Sequence, residues 1–210
     1  MEDAIGRRAW LGAAALAAAA TLGVLIRLTE VDGALAVDRW WRDVVGELPE
    51  PLRAASFALD VIGGGTLAHF WIPVGLIVLL LLTRRTGGAL LYAASALAST
   101  ALVQLGKAVF ARDRPDDIVI DISSYAYPSG HAAFAATIAA ALWVMLPRAW
   151  VAVLGALWTG AMALSRTHLS AHWLTDTVGG ILVGVGSVLV VAAVLGRLRR
   201  TEEREGAAPD

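Results

Sequence analysis

The chain has 210 residues, of which 58% are hydrophobic and only 17% charged, with a mean hydropathy of +0.67. Soluble domains carry roughly 25% charged residues, so the composition excludes a disordered chain and argues against a soluble globule. Seventeen basic and eighteen acidic residues leave a net charge of -1. That balance gives no basic excess to suit a nucleic acid, and a chain without cysteine has neither a disulfide framework nor a thiolate metal site. Imidazole chemistry is limited to His69, His131, His168 and His172.

A spanning helix needs about 20 apolar residues at about 1.5 Å each. Residues 9–28 form the first such run, flanked by Arg7, Arg8 and Arg27. The run is longer than the roughly 7–15-residue core of a signal peptide, which favours a span. Residues 33–48 follow, with Val37, Trp40, Trp41, Val44, Val45 and Leu48 on one helical stripe. Asp38, Arg39, Arg42, Asp43 and Glu47 fill the other face. This is an amphipathic helix that either lies on the outer leaflet or packs against the spans.

Gly63-Gly64-Gly65 breaks the chain before a second apolar run at 66–83, closed by Arg84 and Arg85. Further runs occupy 87–110, 130–146, 150–164 and 177–195. The fourth and fifth are short for spans. The chain is thus expected to be all-α: a polytopic membrane helix bundle of about six transmembrane helices plus an outer amphipathic helix. Residues 1–200 form one membrane-embedded domain in this scheme, and 201–210 a charged, frayed cytoplasmic tail.

Six spans put both termini on one side. Nine basic residues fall on that side and eight on the other, where twelve of the acids also lie. The tight turns holding Arg84, Arg85 and Arg148 decide for cytoplasmic termini. Trp10, Trp71, Trp143, Trp150 and Trp173 fall near span ends, as an interfacial aromatic belt would. Trp158 is expected to be core filler.

Polar residues gather at three span ends that share one side of the membrane. Lys107, Arg112, Arg114 and Pro115 close the third span, and Pro128-Ser129-Gly130-His131 opens the fourth. Ser165, Arg166, His172 and Asp176 lie between the fifth and sixth. Ionisable residues at such depth point to function. Lys107, Arg114 and Arg166 suit a dianionic tetrahedral group. Ser129 is a good N-cap, and the helix start behind it, with Gly130 in its first turn, favours an anion. His172 and Asp176 are four apart, so on a helix they share a face, where the carboxylate can orient the imidazole. Two histidines can then divide nucleophilic attack and proton transfer. Snorkelling cations and an ordinary loop-to-helix entry are the plainer explanations of the individual residues.

The set Lys107-x6-Arg114-Pro115, Pro128-Ser129-Gly130-His131 and Ser165-Arg166-x5-His172-x3-Asp176 resembles the three-part signature of the type 2 phosphatidic acid phosphatases. This is the lipid phosphate phosphatase group, whose superfamily also contains the vanadium haloperoxidases. The resemblance implies an integral membrane lipid phosphatase. His172 would be the nucleophile, Asp176 its orienting carboxylate, and His131 the acid and then the base. Lys107, Arg114, Ser129, Gly130 and Arg166 would bind the phosphate. It implies catalysis without a metal or other cofactor, and partners limited to a lipid phosphate substrate and the bilayer.

The scissile group would be a phosphomonoester or pyrophosphate on a polyprenyl pyrophosphate, phosphatidylglycerol phosphate or phosphatidic acid. A lipid-phosphate transporter or binding protein without hydrolysis is the alternative, and a haloperoxidase the more distant one. Asp113 could tune Arg114 or pair with Arg112. Ser165 could bind phosphate or back-bond a carbonyl. His168 lacks an acid four residues on, His69 is expected to be structural, and the isolated Asp60, near the Gly63–Gly65 break, to have a helix-end or interface role. Asp116, Asp117 and Asp121 form a solvated acidic loop.

Overall fold

The computed structural model describes residues 2–30, 33–120 and 122–205. These residues fold into α1 (Glu2–Thr29), α2 (Ala36–Gly46), α3 (Glu50–Gly63), a π-helical turn (Leu67–Trp71), α4 (Ile72–Leu82), α5 (Thr86–Phe110), α6 (Gly130–Met145), α7 (Ala149–His168) and α8 (Leu174–Glu205). No strand is present among them. Asp121 and residues 206–210 lie outside the described residues, whereas 201–205, expected to fray, continue α8.

Four helices, α1, α5, α7 and α8, are long and apolar enough to cross a membrane. The second apolar run is not one straight span. It begins earlier than hydropathy suggests, in α3, and bends by 50° before continuing through the π-helical turn into α4. Gly64 is extended and Gly65 has φ +54°, a conformation that suits glycine. The bent pair counts as a fifth span if taken together. The remaining run, α6, has 16 residues, a length of about 24 Å against a hydrocarbon core of about 30 Å. The chain is a multi-pass membrane protein.

The helix α8 forms the core. Half of its apolar window is buried, against 22% for α1 and α7, and it packs on α1, α5 and α6. Apolar side chains gain little by leaving lipid for one another, so close backbone approach decides which helices meet. On the α6 side, a Cβ at Gly184 would lie 2.9 Å from Ala136 Cβ and 3.0 Å from Thr137 N, and one at Gly180 would lie 3.1 Å from Ala132 Cβ. On the α1 side, Gly12 and Gly186 meet in the same manner. The seam to α6 holds the N-terminal ends of α6 and α8 side by side, and Ser129 N donates to the Asp176 carbonyl at 3.0 Å.

The amphipathic segment forms α2 and packs on α7 and α8. Its stripe is split: Val45 is buried and Trp41 Nε1 donates to Thr167 Oγ1 at 3.0 Å, while Val37, Trp40 and Val44 are exposed. Asp38, assigned by periodicity to the polar face, is wholly buried. Trp10, Trp71, Trp143 and Trp150 are exposed, with Trp143 and Trp150 near helix ends, but Trp173 is buried, with the guanidinium groups of Arg42 and Arg112 over its ring.

A Gly184→Leu substitution is expected to overpack the α6–α8 seam and cost about 1–3 kcal/mol or more. Thermal unfolding in detergent should show a lowered Tm. Gly160→Leu, where a Cβ meets nothing within 4 Å, should leave Tm unchanged.

Candidate active site

Lys107 in the last turn of α5, Ser129-Gly130-His131 at the start of α6, Arg166 near the end of α7 and Asp176 in the first turn of α8 all reach one end of the bundle. Asp60, near the end of α3, joins them. The helix begun by the fifth apolar run continues past residue 164, so Ser165 and Arg166 sit on α7 rather than in a loop. His172 alone of the signature's third part lies in the connection between α7 and α8.

The His172–Asp176 proximity therefore does not come from a shared helical face. It comes from the cap of α8. Asp176 Oδ2 accepts from Trp173 N at 2.8 Å, closing the helix start, and this brings it 3.5 Å from His172 Nδ1. That distance is the limit of hydrogen bonding, and Nδ1 has no formed hydrogen bond among the described residues. Catalytic hydrogen bonds often tighten only once substrate is bound.

His172 Nε2 lies 3.2 Å from Arg114 Nη1. A guanidinium can only donate, so Nε2 presents its lone pair and the ring proton belongs on Nδ1, toward Asp176. Burial, followed by the charges of Arg114, Arg166, Lys107 and His131, drives the His172 pKa well below the usual imidazole value. The ring is neutral at neutral pH, with its Nε2 lone pair among cations.

Arg114 and Lys107 share acceptors that sequence reasoning missed. Lys107 Nζ donates to the Tyr125 carbonyl and to Ser124 Oγ, the latter at 3.4 Å. Arg114 Nε donates to the Ser124 carbonyl at 2.7 Å, and its Nη2 to the Tyr125 carbonyl at 3.1 Å. Arg114 Nη1 also donates to the Ala171 carbonyl. Burial and the Arg166 charge pull Arg114 down to about 10 against the attraction of Asp176, so it remains charged at neutral pH.

Arg166 is wholly buried. Its Nη1 pairs with Asp60 Oδ1 at 2.5 Å, while Nε and Nη2 have no hydrogen-bond partner among the described residues. Buried polar groups are normally satisfied, so two unmatched donors beside His131 and His172 mark where an anion fits. Ser129 caps α6 as expected, accepting from Ala132 N at 3.5 Å. The first-turn N–H groups behind it are not needed by the helix itself. His131 Nε2 meets the Asp60 carbonyl at 3.1 Å and Asp60 Oδ1 at 3.3 Å. Asp60 thus belongs to the site. An acid within an otherwise apolar stretch is the signal that could have found it.

Arg112 does not pair with Asp113. Its Nη1 binds Asp176 Oδ1 at 2.7 Å and Thr175 Oγ1 at 2.8 Å, its Nη2 binds Asp38 Oδ2 at 2.6 Å, and its Nε lies 3.5 Å from Glu30. Burial alone would lower its pKa, but Asp176 and Asp38 outweigh that and hold it above the ordinary guanidinium value. Asp113 is exposed and contributes its carbonyl to Trp173 Nε1. Ser165 Oγ back-bonds the Met162 carbonyl at 2.7 Å. His168 pairs with Ser56, and His69 with the Gly65 carbonyl. No group of three His, Asp or Glu side chains converges as a metal cage would, among the described residues.

Every candidate phosphate-binding and histidine position of the signature thus meets at one end of an all-helical membrane bundle. A sequence model of the PAP2 superfamily matches residues 88–200, more than half of the chain, and the chain belongs to that superfamily. It is 32% identical over 124 residues to an undecaprenyl-diphosphatase of Sulfolobus acidocaldarius, a match covering 55% of this chain and 59% of that protein's length. It is also 32% identical over 149 residues to the decaprenylphosphoryl-5-phosphoribose phosphatase of Mycobacterium tuberculosis, covering 66% of this chain and 82% of the relative.

In fold it is similar to the transmembrane PAP2 type phosphatidylglycerolphosphate phosphatase of Bacillus subtilis, with a TM-score of 0.74 at 22% identity, covering 90% of this chain and 98% of that one. It is also similar to Aquifex aeolicus LpxE, with a TM-score of 0.68 at 18% identity, covering 78% and 99%.

The depressed His172 pKa links stability to pH. The unfolded chain takes a proton at His172 near pH 6.5 and the native chain does not. This contribution is therefore fully present above that pH and is lost as pH falls below it. Tm in detergent should drop between about pH 7.5 and about pH 5.5, and His172→Gln should make that drop smaller.

Proposed function

We propose that this protein hydrolyses a phosphomonoester or pyrophosphate carried by a membrane lipid, through a phosphohistidine intermediate. The observation that carries the reading is the neutral His172 whose Nε2 lone pair faces Arg114, beside the unmatched donors of Arg166. Phosphate entering there takes over the Arg114 contact, and Lys107, Arg114 and Arg166 hold its oxygens with the N–H groups of the α6 start. A side chain at Gly130 would meet nothing closer than Val103 Cγ1 at 3.7 Å. Packing does not require glycine there, whereas close approach of an oxygen to the backbone does.

In the first step His172 Nε2 attacks phosphorus, an N–P bond forms, and the bond from phosphorus to the leaving oxygen breaks as His131 donates a proton to it. In the second, His131 takes a proton from water, the water oxygen attacks phosphorus, and the N–P bond breaks to release phosphate. Asp176 orients His172 and stabilises its charge throughout. Most of the rate enhancement comes from positioning and charge. The relatives named above act on polyprenyl and phosphatidylglycerol phosphates, and lipids of these kinds, with phosphatidic acid, are the substrates to test.

The lipid tail has a path. An apolar recess of about 420 Å³ is lined by Ile62, Ile72, Phe134, Leu142, Leu154 and Trp158, among others. Ile62 precedes Gly63, which abuts His131, and Phe134 is one turn along α6 from His131. A larger recess, about 480 Å³, opens at the other end among Arg8, Arg84 and Arg85 and contains none of the site residues. Basic residues at that end support cytoplasmic termini and a site facing outside.

Purified protein should release phosphate from one or more of these lipids in the presence of EDTA, and strict dependence on added magnesium would overturn the mechanism. His172→Ala should lower turnover by about three or more powers of ten. Covalent phosphate trapped on His131 would reverse the assigned roles, and tight lipid binding without release would favour a carrier. Leu154→Trp should lower kcat/KM for long-tailed lipids at least about threefold while sparing short-chain analogues, a contrast on the scale of a few buried methylenes.

A further inference from the structure

Each of the two site imidazoles faces a carboxylate. That of His172 is part of the sequence signature. That of His131 comes from α3, outside residues 88–200 that the family match covers. Asp60 Oδ1 lies 2.5 Å from Arg166 Nη1 and 3.3 Å from His131 Nε2, and the Asp60 carbonyl lies 3.1 Å from the same nitrogen. A carbonyl oxygen can only accept, so Nε2 carries a proton and Nδ1 is left for substrate.

The close approach depends on the glycine break. A Cβ at Gly63 would fall 2.6 Å from His131 Cδ2, and one at Gly64 would fall 2.9 Å from His131 Nε2. Larger residues there would push α3 off the imidazole. The charged or titratable groups around His131 are Asp60 from α3, His69 from the π-helical turn, Arg166 from α7 and His172 from the α7–α8 connection. Asp60 is the sole anion of this group. A proton on His131 next to Arg166 needs that negative charge.

Resting on the phosphatase reading, we propose that Asp60 is a positioning residue for the reaction: its carboxylate favours the protonated His131 that serves as the acid for the leaving oxygen, and at the same time fixes Arg166 toward the phosphate. The arrangement mirrors Asp176 and His172, with the opposite ring nitrogen engaged. Asp60→Asn is the informative variant, because the amide oxygen can still accept from Arg166 while the charge is gone.

The experiment compares wild type, Asp60→Asn and the exposed-site control Asp43→Asn on two lipid-tailed substrates, an alkyl phosphate and a 4-nitrophenyl-type phosphate whose phenolate leaves without a proton. The ratio kcat/KM reports the step that forms phosphohistidine. Asp60→Asn is expected to lose about 100-fold or more on the alkyl phosphate, the scale of a lost general acid, and less than about tenfold on the aryl phosphate. The alkaline limb of its pH profile on the alkyl substrate should move about one unit or more to lower pH, since His131 sheds its proton more easily. Asp43→Asn should match wild type.

Equal losses on both substrates with an unmoved alkaline limb, or no loss at all, would overturn the proposal. Failure of the phosphatase reading is separately visible: wild type itself would release no phosphate from either substrate.

Discussion

A guanidinium with no solvent exposure holds this protein's functional end together. Arg112 binds Asp176 at the start of α8, Asp38 on α2 and Glu30 after α1. Four separate stretches of the chain thereby meet at one positive charge. Desolvating such a group is expensive and is offset only when several acceptors surround it, so removing one partner of a buried pair costs about 3–5 kcal/mol. Asp176 serves two purposes in this arrangement. One oxygen neutralises Arg112, and the other caps α8 and faces His172. The geometry of His172 is thus tied to the same contact that fixes the helix ends.

The glycine seams set the distances on which that contact depends. In a bundle surrounded by lipid, apolar side chains do not select partners strongly, and close backbone packing does. Gly180 and Gly184 bring α8 against α6, and this puts Ser129 and His131 beside the α7–α8 connection that carries His172. Gly63 and Gly64 bring α3 against His131 from the other side. Small residues in the spans thus position the large polar ones at their ends.

The site concentrates Lys107, Arg114 and Arg166 near a histidine that burial and those same charges keep neutral. This suits a PAP2 superfamily protein whose relatives hydrolyse phosphate on polyprenyl carriers. On the proposed function, an anionic head group would supply the charge the cations lack, and the apolar recess lined by Ile62 and Phe134 would accept hydrocarbon. Chemistry at the membrane boundary follows from the place where the apolar helices end and the charged residues begin.

Hydropathy and motif spacing were enough to establish an all-helical membrane chain and to name all eight candidate positions that converge, from Lys107 to Asp176. Long apolar runs have few alternatives in a bilayer, and a phosphate site needs cations and imidazoles that a mostly apolar chain displays conspicuously. Sequence periodicity put Asp38 on the wrong face and Trp173 in the belt, because neither a helical stripe nor a span end reveals a buried Arg112 that demands an acid and a flat ring.

It also began the second span only after the glycine break and gave Asp60 a helix-end or interface role, since hydropathy shows neither that α3 and α4 form one bent pair nor how close α3 comes to His131. The kinds of residue the chemistry requires are a local property of the chain. That Asp60 meets His131 is a property of helix packing, because a contact 71 residues apart depends on how backbones approach and leaves no periodic trace.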